Sequence, residues 1–217
     1  DTPLMASVHG DETRLYCAAQ MVFASDDRGD TWELISPDLG SGPLLALSES
    51  PLDPLRLVAG GGRGELHFTR DGGKSWQPAG EGLPGKTVRD VVTSRHDQDR
   101  VYVTLSGTRD GDIAPYVYVT PDFGETWKAI ESGIPSEPVN ALAEDPRDDR
   151  ELFVGTDLGV FASTDSGASW VGLGHNLPTA PVVDLAVDGR GEALVAVTHG
   201  LSAFLLEIGS MRNLRDR

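Results

Sequence analysis

Asp90 and Asp184 have the strongest claim to chemistry in this sequence. Each interrupts an apolar run of strand type, and each falls in a repeat column otherwise held by Ala6, Ala46 and Ala141. A carboxyl group inside a strand, with Arg89 beside Asp90, would have its pKa moved by burial and by its neighbours, which is what a general acid needs. A second set of candidates shares one loop, residues 106–114 (SGTRDGDIA). There Arg109 offers a bidentate fork to a carboxylate or to sugar hydroxyls, while Asp110 and Asp112 could take cations or sugars. The competing reading of that loop is a solvated turn with internal ion pairs. Arg63, inside the glycine run 60–64, and His199, before Gly200, complete the candidate binding residues. The glycine run is no phosphate loop, because no Lys-Ser/Thr follows it and no helix begins there.

The elements that must position these residues repeat. Four segments fit Ser/Thr, any, Asp, any, Gly, any, Ser/Thr, Trp: SDDRGDTW at 25–32, TRDGGKSW at 69–76, TPDFGETW at 120–127 and STDSGASW at 163–170. Their tryptophans, Trp32, Trp76, Trp127 and Trp170, are the only four in the chain, at steps of 44, 51 and 43 residues. A repeat of that length belongs to a propeller or a solenoid. Within each segment the aspartate (Asp27, Asp71, Asp122, Asp165) can accept backbone N–H bonds, and the glycine (Gly29, Gly73, Gly124, Gly167) supplies a positive φ. The tryptophan opens the outgoing strand with a large ring to bury, of the order of 150–250 Å². This is folding chemistry and needs no ligand.

At these residues the sequence resembles the Asp-box, or BNR, repeat of sialidases, sortilin-type receptor domains, some xyloglucan hydrolases and the photosystem assembly propellers. The resemblance implies a β-propeller in which each box closes the turn between the third and fourth strands of a blade, on the side away from the ligand. It covers nearly the whole chain and is nearest to the C-terminal portions of long, glycosyl-hydrolase-like bacterial Asp-box proteins. Shared phrases are Ser94-Arg95-His96-Asp97, Pro115-Tyr116-Val117-Tyr118, Val154-Gly155-Thr156 and Thr198-His199-Gly200. Such tails place an arginine after the His-Gly pair and an acidic pair beyond it, whereas Leu201 and Leu206-Glu207-Ile208 stand here.

Read in order, the chain is one all-β domain, 1–217, of four-stranded antiparallel blades at about 3–35, 43–78, 87–130, 138–173 and 181–217. The fifth blade lacks a box, and only 211–217 remains for its last strand. Linkers at 82–84, 133–135 and 176–178 carry a repeated Leu/Ile-Pro pair. A closed five-bladed propeller and an arc of a larger one both satisfy this pattern. An arc would expose strand edges and inter-blade faces that something must cover. The 51-residue step comes from an insertion of about seven residues at 106–114, on the face opposite the boxes, where loops on a rigid scaffold carry function.

Composition narrows the classes. A net charge of −16 repels nucleic acid and anionic membranes, and no run reaches the ~20 apolar residues of a membrane helix. One cysteine, Cys17, rules out an intrachain disulfide, and its column (Ala59, Val103, Val154, Ala196) marks a packing role. His9, His67, His96, His175 and His199 are scattered singly, so neither a metal site nor a cofactor is expected. Tyr16 and Tyr102 share a column with Val58, Phe153 and Val195 and read as core, and the early Arg-Ile-Pro motif of sialidases is absent. These features point to a non-catalytic binding or scaffold module whose partner is another protein or a larger complex, or a glycan. The resemblance adds a periplasmic or secreted address, with a cytoplasmic one also open. The alternative is a glycoside hydrolase using Asp90 and Asp184, whose carboxyls would then lie roughly 5–9.5 Å apart.

Overall fold

The computed structural model describes residues 3–9, 12–40, 42–173 and 179–209. His175, the linker at 176–178 and the last strand expected from 211–217 lie outside them. Among the described residues the regular structure is β throughout apart from one short 3₁₀ turn, and it forms five antiparallel sheets. The first holds β1 (Leu4–His9), β2 (Glu12–Ala18), β3 (Val22–Ser25) and β4 (Glu33–Leu34), and the second β5 (Leu44–Ser50), β6 (Asp53–Gly61), β7 (Leu66–Thr69) and β8 (Gln77–Pro78). The third holds β9 (Thr87–Thr93), β10 (Val101–Ser106), β11 (Tyr116–Thr120) and β12 (Lys128–Ala129), and the fourth β13 (Val139–Glu144), β14 (Leu152–Thr156), β15 (Val160–Ser163) and β16 (Val171–Leu173). The fifth has three strands, β17 (Val182–Val187), β18 (Ala193–Thr198) and β19 (Ala203–Glu207). Each sheet runs in chain order, so every connection within it is an antiparallel turn. Consequently the turns after a blade's first and third strands share one end, the box end, and the turn after the second strand lies at the other.

The chain divides into two compact units, Asp1–Leu105 with Val119–Lys128, and Ser106–Tyr118 with Ala129–Arg217. In the first, one face of sheet one (Tyr16, Ala18, Val22, Ala24) packs on Leu44, Leu57, Ala59 and Trp76 of sheet two. Gly60 of β6 then lets β9 come close: a Cβ there would stand 2.4 Å from Val88 Cγ1. In the second unit Phe153, Val160 and Ala162 pack on Val182, Leu185, Leu194 and Ala196, and Gly155 meets Val182 in the same way, at 2.6 Å. Glycine at this column is therefore a matter of space. The first strands share a further device: the register slips by one residue between Leu44 and Ala46, Val139 and Ala141, and Val182 and Asp184. Such a bulge bends the strand and sharpens its twist.

Two expectations need correcting. The outer strands start one residue after each tryptophan and are only two or three residues long, so the indole ends the turn and does not open the strand. Cys17 is half-buried, while its column-mates Ala59, Val103, Val154 and Ala196 are 0–1% exposed. The reason is the face it occupies: Cys17 is paired with Leu4 and Phe23 on the side of sheet one that faces away from sheet two.

Candidate functional site

The four box turns hold themselves together. In the second, Asp71 Oδ1 accepts the Ser75 N–H at 2.9 Å and the Thr69 hydroxyl at 2.8 Å, while Oδ2 accepts the Ser75 hydroxyl at 2.6 Å. Thr69 Oγ1 in turn accepts the Gly73 N–H at 3.0 Å, and Gly73 sits at φ 96°. Asp27, Asp122 and Asp165 repeat the arrangement. These bonds, the Ser/Thr hydroxyl foremost, hold the carboxyls of Asp71 and Asp122 at about 2 and keep Asp165 below its ordinary value. A carboxylate so occupied spends most of its acceptor capacity inside its own turn.

Three of the box tryptophans lock a blade to the one before it. Trp76 Nε1 donates to the Ile35 carbonyl at 2.9 Å, Trp127 to Ala79 at 2.7 Å and Trp170 to Ile130 at 2.5 Å. In each case the acceptor stands three residues after the preceding tryptophan. Trp32 departs from the rule: it is 41% exposed, and its N–H bonds at 3.2 Å to Gly29 of its own turn.

The first unit carries a cleft between blades one and two, at the box end. At its wall is Glu49, whose side chain is 2% exposed. Its Oε1 takes the Ser7 hydroxyl and, at 2.5 Å, His9 Nε2, and its Oε2 takes the Tyr16 hydroxyl. Burial, the hydrogen bond to Glu49 and its negative charge all push the Tyr16 phenol up, so Tyr16 stays a donor. Arg14 lies over the Tyr16 ring at 5.5 Å. Its Nε faces Asp26 Oδ1 at 3.1 Å as an ion pair, without the geometry of a hydrogen bond. Two cavities flank Arg14 and Leu55: one of ≈ 670 Å³ reaches His9, Thr13 and Glu49, the other of ≈ 480 Å³ reaches Ile35, Gly72 and Lys74. Both fall within the range of ligand pockets.

Their cause is legible in the next interface. Between blades two and three the fourth box residue is Phe123, 2% exposed, with its ring edge-on to Phe68 at 4.8 Å and under Arg56 and Arg70 at 4.9 and 4.8 Å. Between blades one and two the same two positions are Gly72 and Ala24, and box position two is Asp26 in place of Arg70. Tyr16, standing where blade two has Val58, takes up part of the missing volume. Sequence reading singled out neither Glu49 nor Gly72, which stands at an unrestricted position of its box. The differing residues at box position four (Arg28, Gly72, Phe123, Ser166) were the signal for the second.

The residues proposed from sequence lie elsewhere. In the first unit Arg63 is exposed in the β6–β7 turn, where its N–H bonds to Glu65 Oε2 at 2.9 Å, Arg89 is exposed on β9 and Asp90 is half-buried beside it. The second unit holds Asp184, exposed and accepting its neighbour Leu185's N–H at 2.8 Å, and His199, exposed in the β18–β19 turn. It also holds the excess loop, which contains a 3₁₀ turn, Thr108–Asp110, closed by Gly111 at φ 72°. There Asp112 binds the Ala114 N–H at 3.0 Å and the Tyr116 hydroxyl at 2.7 Å, so this carboxylate shapes its own loop, while Arg109 and Asp110 are exposed. Among the described residues no three of His, Cys, Asp and Glu gather as a metal site, and no helix is long and apolar enough to cross a membrane.

Residues 20–135, more than half of the chain, match the family Sortilin-Vps10, described as sortilin, neurotensin receptor 3. The chain belongs to this family. No curated protein sequence matches it. Among solved structures this sortilin-family chain is similar to an ancestral GH74 enzyme, at TM-score 0.70 and 20% identity over 85% of this chain and 26% of that one. It is similar to the GH74 xyloglucanase of Xanthomonas campestris, at 0.70 and 18% over 90% and 34%. It also resembles Chaetomium thermophilum Sqt1, solved with the N-terminus of ribosomal protein L10, at 0.67 and 16% over 90% and 56%. The fold is that of β-propeller proteins, and the sortilin-family chain spans about a quarter to a third of the two glycosidase structures.

Proposed function

We propose that this chain is a non-catalytic propeller module that docks another protein through the apolar side of sheet one turned away from sheet two. The observation that carries the reading is the break in the tryptophan rule. Trp32 bonds only within its own turn, and on the side of sheet one turned away from sheet two Leu4 is 72%, Val8 66% and Leu34 50% exposed. A contiguous apolar sheet face of this kind marks an interaction surface. The likeness to Sqt1, solved with a ribosomal-protein segment, supports a protein ligand for the fold. Light scattering on the isolated chain tests it. The expected result is concentration-dependent association that Leu4→Asp with Val8→Asp suppresses. A monodisperse 23.1 kDa monomer at every concentration would overturn the reading.

The second reading is a glycan hydrolase using Asp90 and Asp184, favoured by the likeness to two GH74 structures. Its test is sugar release from xyloglucan, lost in both Asp90→Asn and Asp184→Asn.

A further inference from the structure

We infer that the cleft between blades one and two receives an aromatic side chain from a partner peptide, in the place that Phe123 fills between blades two and three. The inference concerns a different surface from the Leu4 and Val8 side of sheet one, and Leu34 stands at the rim of both. The protein supplies the comparison itself, since the aspartate, the first Ser/Thr and the glycine make the same turn-closing hydrogen bonds in every box. At position four the backbone is left-handed in all four (Arg28 φ 64°, Gly72 φ 72°, Phe123 φ 55°, Ser166 φ 59°), so the position points alike in each. From it the Phe123 ring reaches back to the preceding blade and lies under Arg56. Arg14 is the repeat equivalent of Arg56, two residues before Tyr16 as Arg56 is before Val58. The position facing it, Gly72, has no side chain, and the ≈ 480 Å³ cavity lined by Arg14, Leu34, Ile35, Leu55, Gly72 and Lys74 occupies that space.

The walls suit a ring. Leu34 and Leu55 are 50% and 51% exposed and supply apolar area, Arg14 and Lys74 supply cations for the ring face, and Ile35 closes the floor. Of the carboxylates nearby, Asp71 is held by its own turn, Asp26 pairs with Arg14 and Glu49 takes three donors, while Glu33 stands exposed on the cavity rim. Arg14 lies over Tyr16 on one side of its guanidinium plane, which leaves the other side to an incoming aromatic ring.

The test is titration of the ¹⁵N-labelled chain with N-acetyl-L-phenylalaninamide, with N-acetyl-L-leucinamide as the control, followed by amide shifts. The expected result is saturable shifts at Arg14, Leu55 and Gly72, with the leucine compound about three- to fivefold weaker for want of the cation–π contribution. Gly72→Phe installs the plug that blade three already has and should abolish the shifts. A Cβ there meets only the Leu55 side-chain end, at 3.2 Å. Leu55→Glu, at a half-exposed position, should abolish them too. The inference is overturned if either variant binds as the natural chain does, if the two amides bind equally, or if no saturable shift occurs at these residues.

Discussion

Trp76→Phe against Trp32→Phe isolates the blade-locking bond from the ring that carries it. Trp76 is 9% exposed and donates to the Ile35 carbonyl at 2.9 Å. Phenylalanine keeps the aromatic packing, loses the N–H and leaves a buried carbonyl without that donor, at about 1 kcal/mol. The smaller ring gives up roughly 40 Å² of apolar contact, which at about 25 cal/mol per Å² is another ~1 kcal/mol. For a domain of this size about 2 kcal/mol lowers Tm by about 4–8 °C. Trp32, 41% exposed and bonded only to its own Gly29, should cost less than about 0.5 kcal/mol, a shift within about 2 °C. Thermal unfolding followed by far-ultraviolet circular dichroism, at fixed protein concentration, measures both. Equal losses for the two variants would refute the reasoning. They would mean that Trp32 is held in solution as Trp76 is, and that the first-blade face is covered.

Three further outcomes follow from the same geometry. Gly60→Ala should destabilise by about 1–3 kcal/mol, because its Cβ would stand 2.4 Å from Val88 Cγ1 between two backbones with little room to part; a Tm unchanged within error would show that β6 and β9 can separate freely. Glu49→Gln replaces an oxygen that accepts from Ser7 and His9, or the one that accepts from Tyr16, with an amide donor, and should cost about 1–3 kcal/mol; chemical denaturation showing no loss would remove the cluster from the interface. The depressed carboxyl of Asp71 contributes stability that is fully present above its unfolded value near 3.8 and is lost as pH falls toward about 2. Asp71→Asn should therefore be less stable at pH 7 and lose less than the natural chain between pH 4 and pH 2; parallel Tm–pH curves would contradict the sign.

The sequence by itself determined the repeat, the self-capping turns and the sheet count, because these rest on contacts within a few residues. An aspartate, a glycine and two hydroxyls inside eight residues close the same turn wherever they occur, so each box is written locally, from Ser25, Thr69, Thr120 and Ser163 onward. What lies between blades was decided only in three dimensions. The bonds from Trp76 to Ile35 and from Tyr16 to Glu49 join residues 41 and 33 positions apart. No local pattern marks Glu49 as the acid that Ser7, His9 and Tyr16 would converge on. The same holds for the cleft. Gly72 is an ordinary turn glycine in its own hairpin and becomes a missing side chain only when its blade is set against Arg14, because a void belongs to two surfaces at once and neither strand encodes it alone.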